Sequence, residues 1–362
     1  MLYQIIANFD TKNIKSMSIT NQSINNNGHF VISLDFELHW GMRDHKSVED
    51  YKENLKNVGP VINRLLALAD AYNVKLTFAT VGFLFAENKS ELLDFIPNKK
   101  PTYTNSKLSP YTLLNSIGEN ESNDPYHFAK SSIKLIKENG NHEIGTHTFS
   151  HYYCHEPGQT VSQFEEDIKS AIAIAKPLDI KLESIVFPRN MIKAENKIDQ
   201  PYLEACKKHG INSFRGKEKA FIYNIHTTKF YKGWYLFKFL RLLDTYINVT
   251  GFNTYKVENH YIEKGILNLP SSRILRAYMK SLKFLEPLKI SRIKKSMKHA
   301  AKNGELFHLW WHPHNFGKHM DENFNNLEAI FKEYAMLNKT YKFSSETMTS
   351  LTNKTILKHQ HS

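Results

Sequence analysis

The chain has 362 residues, enough for one large domain or two ordinary ones, and 41% of them are hydrophobic, which argues against wholesale disorder. Forty-eight lysines and arginines against 36 acids give a formal net charge of +12, which favours an acidic partner: a phosphate-bearing substrate, an anionic membrane surface or nucleic acid. Cys154 and Cys206 are the two cysteines and form no C-x-x-C pair, which argues against a cysteine zinc site or a disulfide framework.

Residues 1–28 are polar and rich in Asn, Ser and Lys, and read as a weakly ordered arm without the apolar core of a signal peptide. No run approaches the roughly 20 apolar residues of a membrane-spanning helix. A cytoplasmic location, with peripheral attachment to the inner face of a membrane as a variant, is the expectation. Phe30-Val31-Ile32 opens a buried strand at about 29–36 that leads into Asp35 and Glu37. Residues two apart on a strand share a face, so both carboxylates point to one side. Residues 48–72 read as a helix interrupted near Pro60. Val74 to Val81 is a second strand, and Glu87 to Phe95 a short helix. Residues 96–125, with four prolines, form an inserted loop. His127 to Asn139 is a helix closed by Gly140, and His142 to Thr148 a strand. A helix over Gln163 to Lys176, a strand over Ser184 to Pro188, a helix over Pro201 to His209 and a strand over Ile211 to Phe214 continue the alternation.

That rhythm predicts a parallel α/β architecture with its chemistry at the C-terminal strand ends. The absence of G-x-G-x-x-G and Walker A sequences weakens nucleotide-binding versions. Residues 217–265 break the rhythm with an insertion in which Lys229 to Arg241 mixes aromatic rings with cations. Residues 273–302 carry ten Lys/Arg and one acid, Glu286. Glu305 to Trp311 reads as a late strand and Asn323 to Leu337 as a final helix, with a frayed tail at 349–362.

Three clusters carry chemistry: Asp35 and Glu37, His147 and His151, and His312 with His314. Histidines four apart present both rings to one side of a helical turn. Two imidazoles with a carboxylate make a catalytic zinc set that leaves one position open. His142-Glu143 is not a zincin motif, because His147 lies five residues on instead of four. His155 reads as a loop histidine.

With these residues the chain resembles the polysaccharide deacetylase family (NodB homology, carbohydrate esterase family 4), in its surface-polysaccharide biosynthesis branch, over about 29–215 and 266–348. The stretches that carry the resemblance are Ser33-Leu34-Asp35-Phe36-Glu37, His147-Thr148-Phe149-Ser150-His151, Phe187-Pro188-Arg189-Asn190 and Leu309-Trp310-Trp311-His312. It implies a distorted (β/α)7-type barrel over 29–348, with the aromatic and basic segment inserted. It implies Asp35 as general base, Arg189 as its partner, His312 as general acid with His314 competing, and Glu37, His147 and His151 as ligands of a divalent metal, zinc preferred. A backbone N–H after His151 is the expected oxyanion donor. Trp40, Asn190, Trp311 and His314 are candidates to line the substrate.

The expected activity is removal of an acetyl group, by N-deacetylation, from a sugar on a lipid or nucleotide carrier. The alternatives are an amidohydrolase of the same fold acting on a non-sugar amide, and an inactive relative that binds glycan or membrane. An anionic membrane surface is the expected macromolecular partner; with no nucleic-acid module visible, nucleic acid is not expected.

Overall fold

A computed structural model describes residues 27–224, 234–260 and 265–361. The expected N-terminal arm, apart from its last two residues, and part of the aromatic insertion lie outside the described residues.

In chain order the strands are β1 (His29–Phe36), β2 (Thr77–Thr80), β3 (Glu143–Thr146), β4 (Ser184–Ile185), β5 (Ser213–Phe214), β6 (Leu267–Asn268), β7 (Arg273–Ile274), β8 (Leu306–Trp311) and β9 (Ser344–Glu346). The helices are α1 (Val48–Lys56), α2 (Val58–Ala71), α3 (Lys89–Asp94), α4 (Lys130–Asn139), α5 (Val161–Ala175), α6 (Gln200–Lys208), α7 (Phe221–Asn224), α8 (Trp234–Tyr246), α9 (Glu286–Asn303), α10 (Met320–Tyr341) and α11 (Met348–His361). All strand pairs are parallel, in the order β6-β5-β4-β3-β2-β1-β8-β7. β9 pairs with the first three residues of β1, and β2 takes over further along it. The sheet curls into a half-barrel with helices around it, so every strand delivers its C-terminal end to one rim.

Local chemistry explains the elements. α5 starts at a capping box in which Thr160 and Gln163 satisfy each other's backbone N–H groups. It buries Phe164, Ile168, Ala171 and Ile174 at helical spacing and stops before Pro177. α4 ends at Gly140, whose φ of 75° suits glycine. The helix expected over 48–72 divides at Asn57, and Pro60 is accommodated in the first turn of α2.

Strand parity decides what faces the barrel interior. Phe30, Ile32, Leu34 and Phe36 of β1 pack with Leu65, Ile133, Phe307, Leu309 and Trp311 in the main core between sheet and helices. The opposite parity sends Val31 into a second cluster with Ala79, Val186, Leu267 and Leu306. Met348 and Leu351 of α11 join that cluster. The frayed end expected from the sequence is therefore wrong: α11 is a helix that packs into the cluster at the N-terminal side of β1. Among the described residues no helix is long and apolar enough to cross a membrane.

Candidate active site

Continuing the inward parity of β1 past Val31 gives Ser33, Asp35 and then Glu37. Both carboxylates line a cavity of about 910 Å³ at the C-terminal rim. His147, just after β3, and His151 complete a buried cluster in which the three ligand atoms lie within 4.8 Å of one another. Glu37 Oε2 stands 3.3 Å from His147 Nε2 and 3.1 Å from His151 Nε2. Ligands held at 2.0–2.1 Å by a tetrahedral ion stand roughly 3.3 Å apart, so the set fits a divalent cation. The His147 Nδ1–H donates to the Val186 carbonyl at 2.7 Å, which leaves an Nε2 lone pair facing the cluster. Burial would raise the Glu37 pKa, but His312, His147 and His151 outweigh it and hold the carboxyl well below its ordinary range.

The two histidines do not converge through a helical turn. Thr148 and His151 both have positive φ, 66° and 55°, in an irregular loop. Such backbone is held only where the surroundings over-determine it. Here buried Asp167 of α5 accepts from Phe149 N at 2.6 Å, from Ser150 N at 3.2 Å and from the Ser150 hydroxyl. Gly82 N and Phe83 N donate to the carbonyls of Thr148 and Phe149. The N–H after His151, expected as an oxyanion donor, is committed instead: Tyr152 N donates to Thr148 Oγ1 at 2.7 Å.

Asp35 is paired with an arginine, but not with Arg189. Arg215, directly after β5, donates Nη1 to Oδ1 at 2.7 Å and Nη2 to Oδ2 at 2.8 Å. Its guanidinium also donates to Ser33 Oγ and Asn190 Oδ1, and lies over the Trp310 ring at 4.3 Å. Burial would raise the Asp35 pKa, but Arg215, His147 and His312 together depress it. Arg189 and Asn190 form a turn with consecutive left-handed φ values of 63° and 49°. The turn swings Arg189 outward over Tyr153, where it pairs with Asp44 and Glu156. Asn190 turns inward onto Arg215, so this cavity-lining residue also supports the base. Sequence reading missed Arg215, although an arginine directly after a short strand and before Gly216 was a usable signal.

His312 follows β8, with Nε2 3.7 Å from Asp35 Oδ2 and 3.4 Å from Glu37 Oε1. Tyr51 donates to Asn315 Oδ1 at 2.6 Å, which turns the Asn315 amide N–H toward His312 Nδ1 at 3.4 Å. With Nδ1 accepting, the ring proton sits on Nε2, the atom that faces the carboxylates. His314 is buried against Tyr51 and its pKa is pushed down to about 3 by burial, with His312 adding. The substrate-lining expectation fails for Trp40, Trp311 and His314. Trp40 and Trp311 are fully buried in the main core, and none of the three lines the cavity. For Trp311 the reason is parity, since Leu306, His308 and Trp310 face inward along β8 and Trp311 faces the helices; Trp40 and His314 lie on the short helical turns that follow β1 and β8. His155 lies apart from the triad, hydrogen-bonded to Asp199.

A parallel α/β half-barrel with a Glu/His/His cluster on its C-terminal rim is the class that fold and site define. Residues 57–189 match the profile of the polysaccharide deacetylase family, a span that includes His147, His151 and Arg189. That match, over little more than a third of the chain, and the fold together support carbohydrate deacetylation. A Mycobacterium smegmatis protein assigned to the polysaccharide deacetylases aligns over 91% of both chains at 12% identity and a TM-score of 0.55. One from Pseudomonas aeruginosa PAO1 aligns over 90% of this chain and 89% of its own, at 12% identity and TM-score 0.48. A Bacillus anthracis carbohydrate esterase family 4 pseudoenzyme aligns over 91% and 66%, at 10% identity and TM-score 0.41. At 12% identity the likeness to the Mycobacterium smegmatis protein is one of fold. Among curated proteins nothing matches significantly.

Proposed function

We propose that the protein is a divalent-metal-dependent hydrolase that removes the N-acetyl group of a sugar carried on a lipid or nucleotide diphosphate. One observation carries the reading: the Glu37/His147/His151 cluster, the Asp35–Arg215 pair and His312 open into a single cavity.

Glu37, His147 and His151 would hold the metal, with zinc suited to this donor set. When bound, it would supply Lewis acidity at the acetamide carbonyl and lower the pKa of water from about 16 towards about 7. Asp35, kept ionised by Arg215, accepts the proton of the attacking water. Arg215 holds both carboxylate oxygens, so the base is oriented as well as charged. His312 stands with Nε2 beside both carboxylates; as the imidazolium it gives the Nε2 proton to the departing amine and is left as the neutral ring.

A membrane-facing mode suits the surface. Among the described residues, eight of the twelve exposed large apolar side chains fall between Phe221 and Leu288. Lys238, Lys280 and Lys283 are exposed in the same stretch. Apolar side chains among cations are the composition of a peripheral contact with anionic lipid. Co-sedimentation with anionic vesicles that reverses at high salt is expected; equal pelleting with neutral vesicles would refute the electrostatic mode.

The test of the activity is metal content alongside acetate release. Wild type is expected to hold about one divalent metal per chain and to release acetate from acetylated lipid-linked or nucleotide sugars. His151→Ala should lose both, and Asp35→Asn should keep the metal while losing turnover. A wild type that takes up no metal even with added zinc would overturn the reading.

A further inference from the structure

The same cavity is lined by three further cations, Lys217 after β5, Arg241 on α8 and Arg276 after β7. The acids that line the same cavity are mostly engaged elsewhere. Asp44 and Glu156 are paired with Arg189, Asp35 with Arg215, and Glu37 faces the two ligand histidines. Glu218 remains; it is buried, and its Oε1 accepts from the Trp310 indole at 3.3 Å. Among the described residues, Glu218 is thus the carboxylate that faces Lys217 and Arg276 there.

Arg276 donates Nε to Thr245 Oγ1 at 3.0 Å, and its backbone carbonyl accepts from Lys289 Nζ at 2.9 Å. Its two terminal nitrogens are not engaged by that contact. Behind it, Asp244 accepts from Tyr223, Thr250, the Val249 N–H and Arg273, which directs that acid away from the cavity. Burial pushes the Lys217 ammonium down to about 8, and Lys193 and Arg241 add to the effect against Glu218. Arg241 is lowered by burial and by Arg276, with Tyr223 and Glu218 opposing. Arg241 thus lies within reach of the charge of both Lys217 and Arg276, and like charges so placed favour an anion beside them.

We propose that Lys217, Arg241 and Arg276 form a binding site for the diphosphate group of the substrate, in the cavity that the metal cluster opens into. Arginine forks pair with phosphate oxygens in a bidentate manner. The cavity volume of about 910 Å³ lies within the range of small-molecule sites, about 300–1,000 Å³. The link to the substrate rests on the deacetylase reading; the anion site does not.

The probe is inorganic pyrophosphate, titrated calorimetrically into full-length His151→Ala protein stripped of metal, so that phosphate cannot report on the metal cluster. Saturable binding is expected. Adding Lys217→Gln or Arg276→Gln should weaken it about tenfold each, which corresponds to about 1.4 kcal/mol. Competition by uridine diphosphate alone would assign a nucleotide carrier, and competition by farnesyl diphosphate alone a lipid one; either supports the site. Affinity unchanged by both substitutions, or glucuronate binding as tightly as pyrophosphate, would overturn it. If Arg276→Gln does not fold, Lys217→Gln at a half-buried position carries the test. Pyrophosphate binding with no metal uptake by wild type would sink the deacetylase reading alone; metal uptake with no pyrophosphate site would sink this one alone.

Discussion

Gly41 offers the sharpest test of the metal cluster, because it acts on Glu37 without touching Glu37 itself. A Cβ at position 41 would lie 1.9 Å from Glu37 Cδ and 2.2 and 2.3 Å from its two oxygens. To reach an ordinary contact of 3.4 Å the carboxylate must retreat by about 1.5 Å. Metal–ligand distances tolerate only about 0.2 Å, so the displaced carboxylate is lost to the cluster. The clash falls on the end of a flexible side chain, and Gly41 is not among the positive-φ glycines. Gly41→Ala should therefore unfold within about 1 kcal/mol of wild type while its metal affinity falls by about 100-fold or more. Competition titration against a chromogenic chelator measures the affinity, and urea unfolding of the metal-free protein measures the stability. Wild-type metal affinity in Gly41→Ala would refute Glu37 as a ligand.

Arg215→Lys should retain metal but lose turnover by about 100-fold, since a lysine cannot hold both Asp35 oxygens; Arg189→Ala should cost less than about tenfold, and equal losses in the two would undo the assignment of the arginine. Asp167→Ala leaves the N–H groups of Phe149 and Ser150 buried without their acceptor, so urea unfolding should show a loss of about 3–5 kcal/mol; a loss under about 1 kcal/mol would mean that the histidine loop is held some other way. Burial pushes the His29 pKa down to about 4, against the opposing pull of Glu346, while its unfolded value is about 6.5. The unfolded chain thus binds the extra proton first, and stability should fall as pH drops from about 6.5 to about 4, by up to about 1.4 kcal/mol per pH unit from this group. His29→Asn should flatten that slope between urea unfolding curves at pH 7 and pH 5, and an unchanged slope would count against a half-buried His29 that is neutral in the folded protein.

Much of this molecule was written locally. The i, i+2 parity of Asp35 and Glu37, the stop at Gly140, the helix over α5 and the strand preceding His312 follow from periods of 2 and 3.6 and from caps, which neighbours along the chain encode. The sharing of one rim by Asp35, His147 and His312 follows from strand–helix alternation, because parallel strands end on the same side. Other features depended on contacts between residues far apart in sequence. Arg215 replaced Arg189 at Asp35 because the left-handed turn at 189–190 faces one side chain outward and the other inward, and its outcome depends on Tyr153, Asp44 and Glu156 being there to receive the outer one. Trp310, not Trp311, met the cavity because the register of β8 against β1 set the parity. The histidines converged through a strained loop because Asp167, on a helix beyond it, supplied the acceptors. A polar terminal segment became a helix because the end of the barrel lined by Val31 and Leu306 had apolar surface for Met348 and Leu351 to cover. The sequence alone determined which chemical groups reach the rim; the tertiary structure decided which of them touch, since a hydrogen bond is set by distances of a few tenths of an ångström between strands whose order and twist no local pattern records.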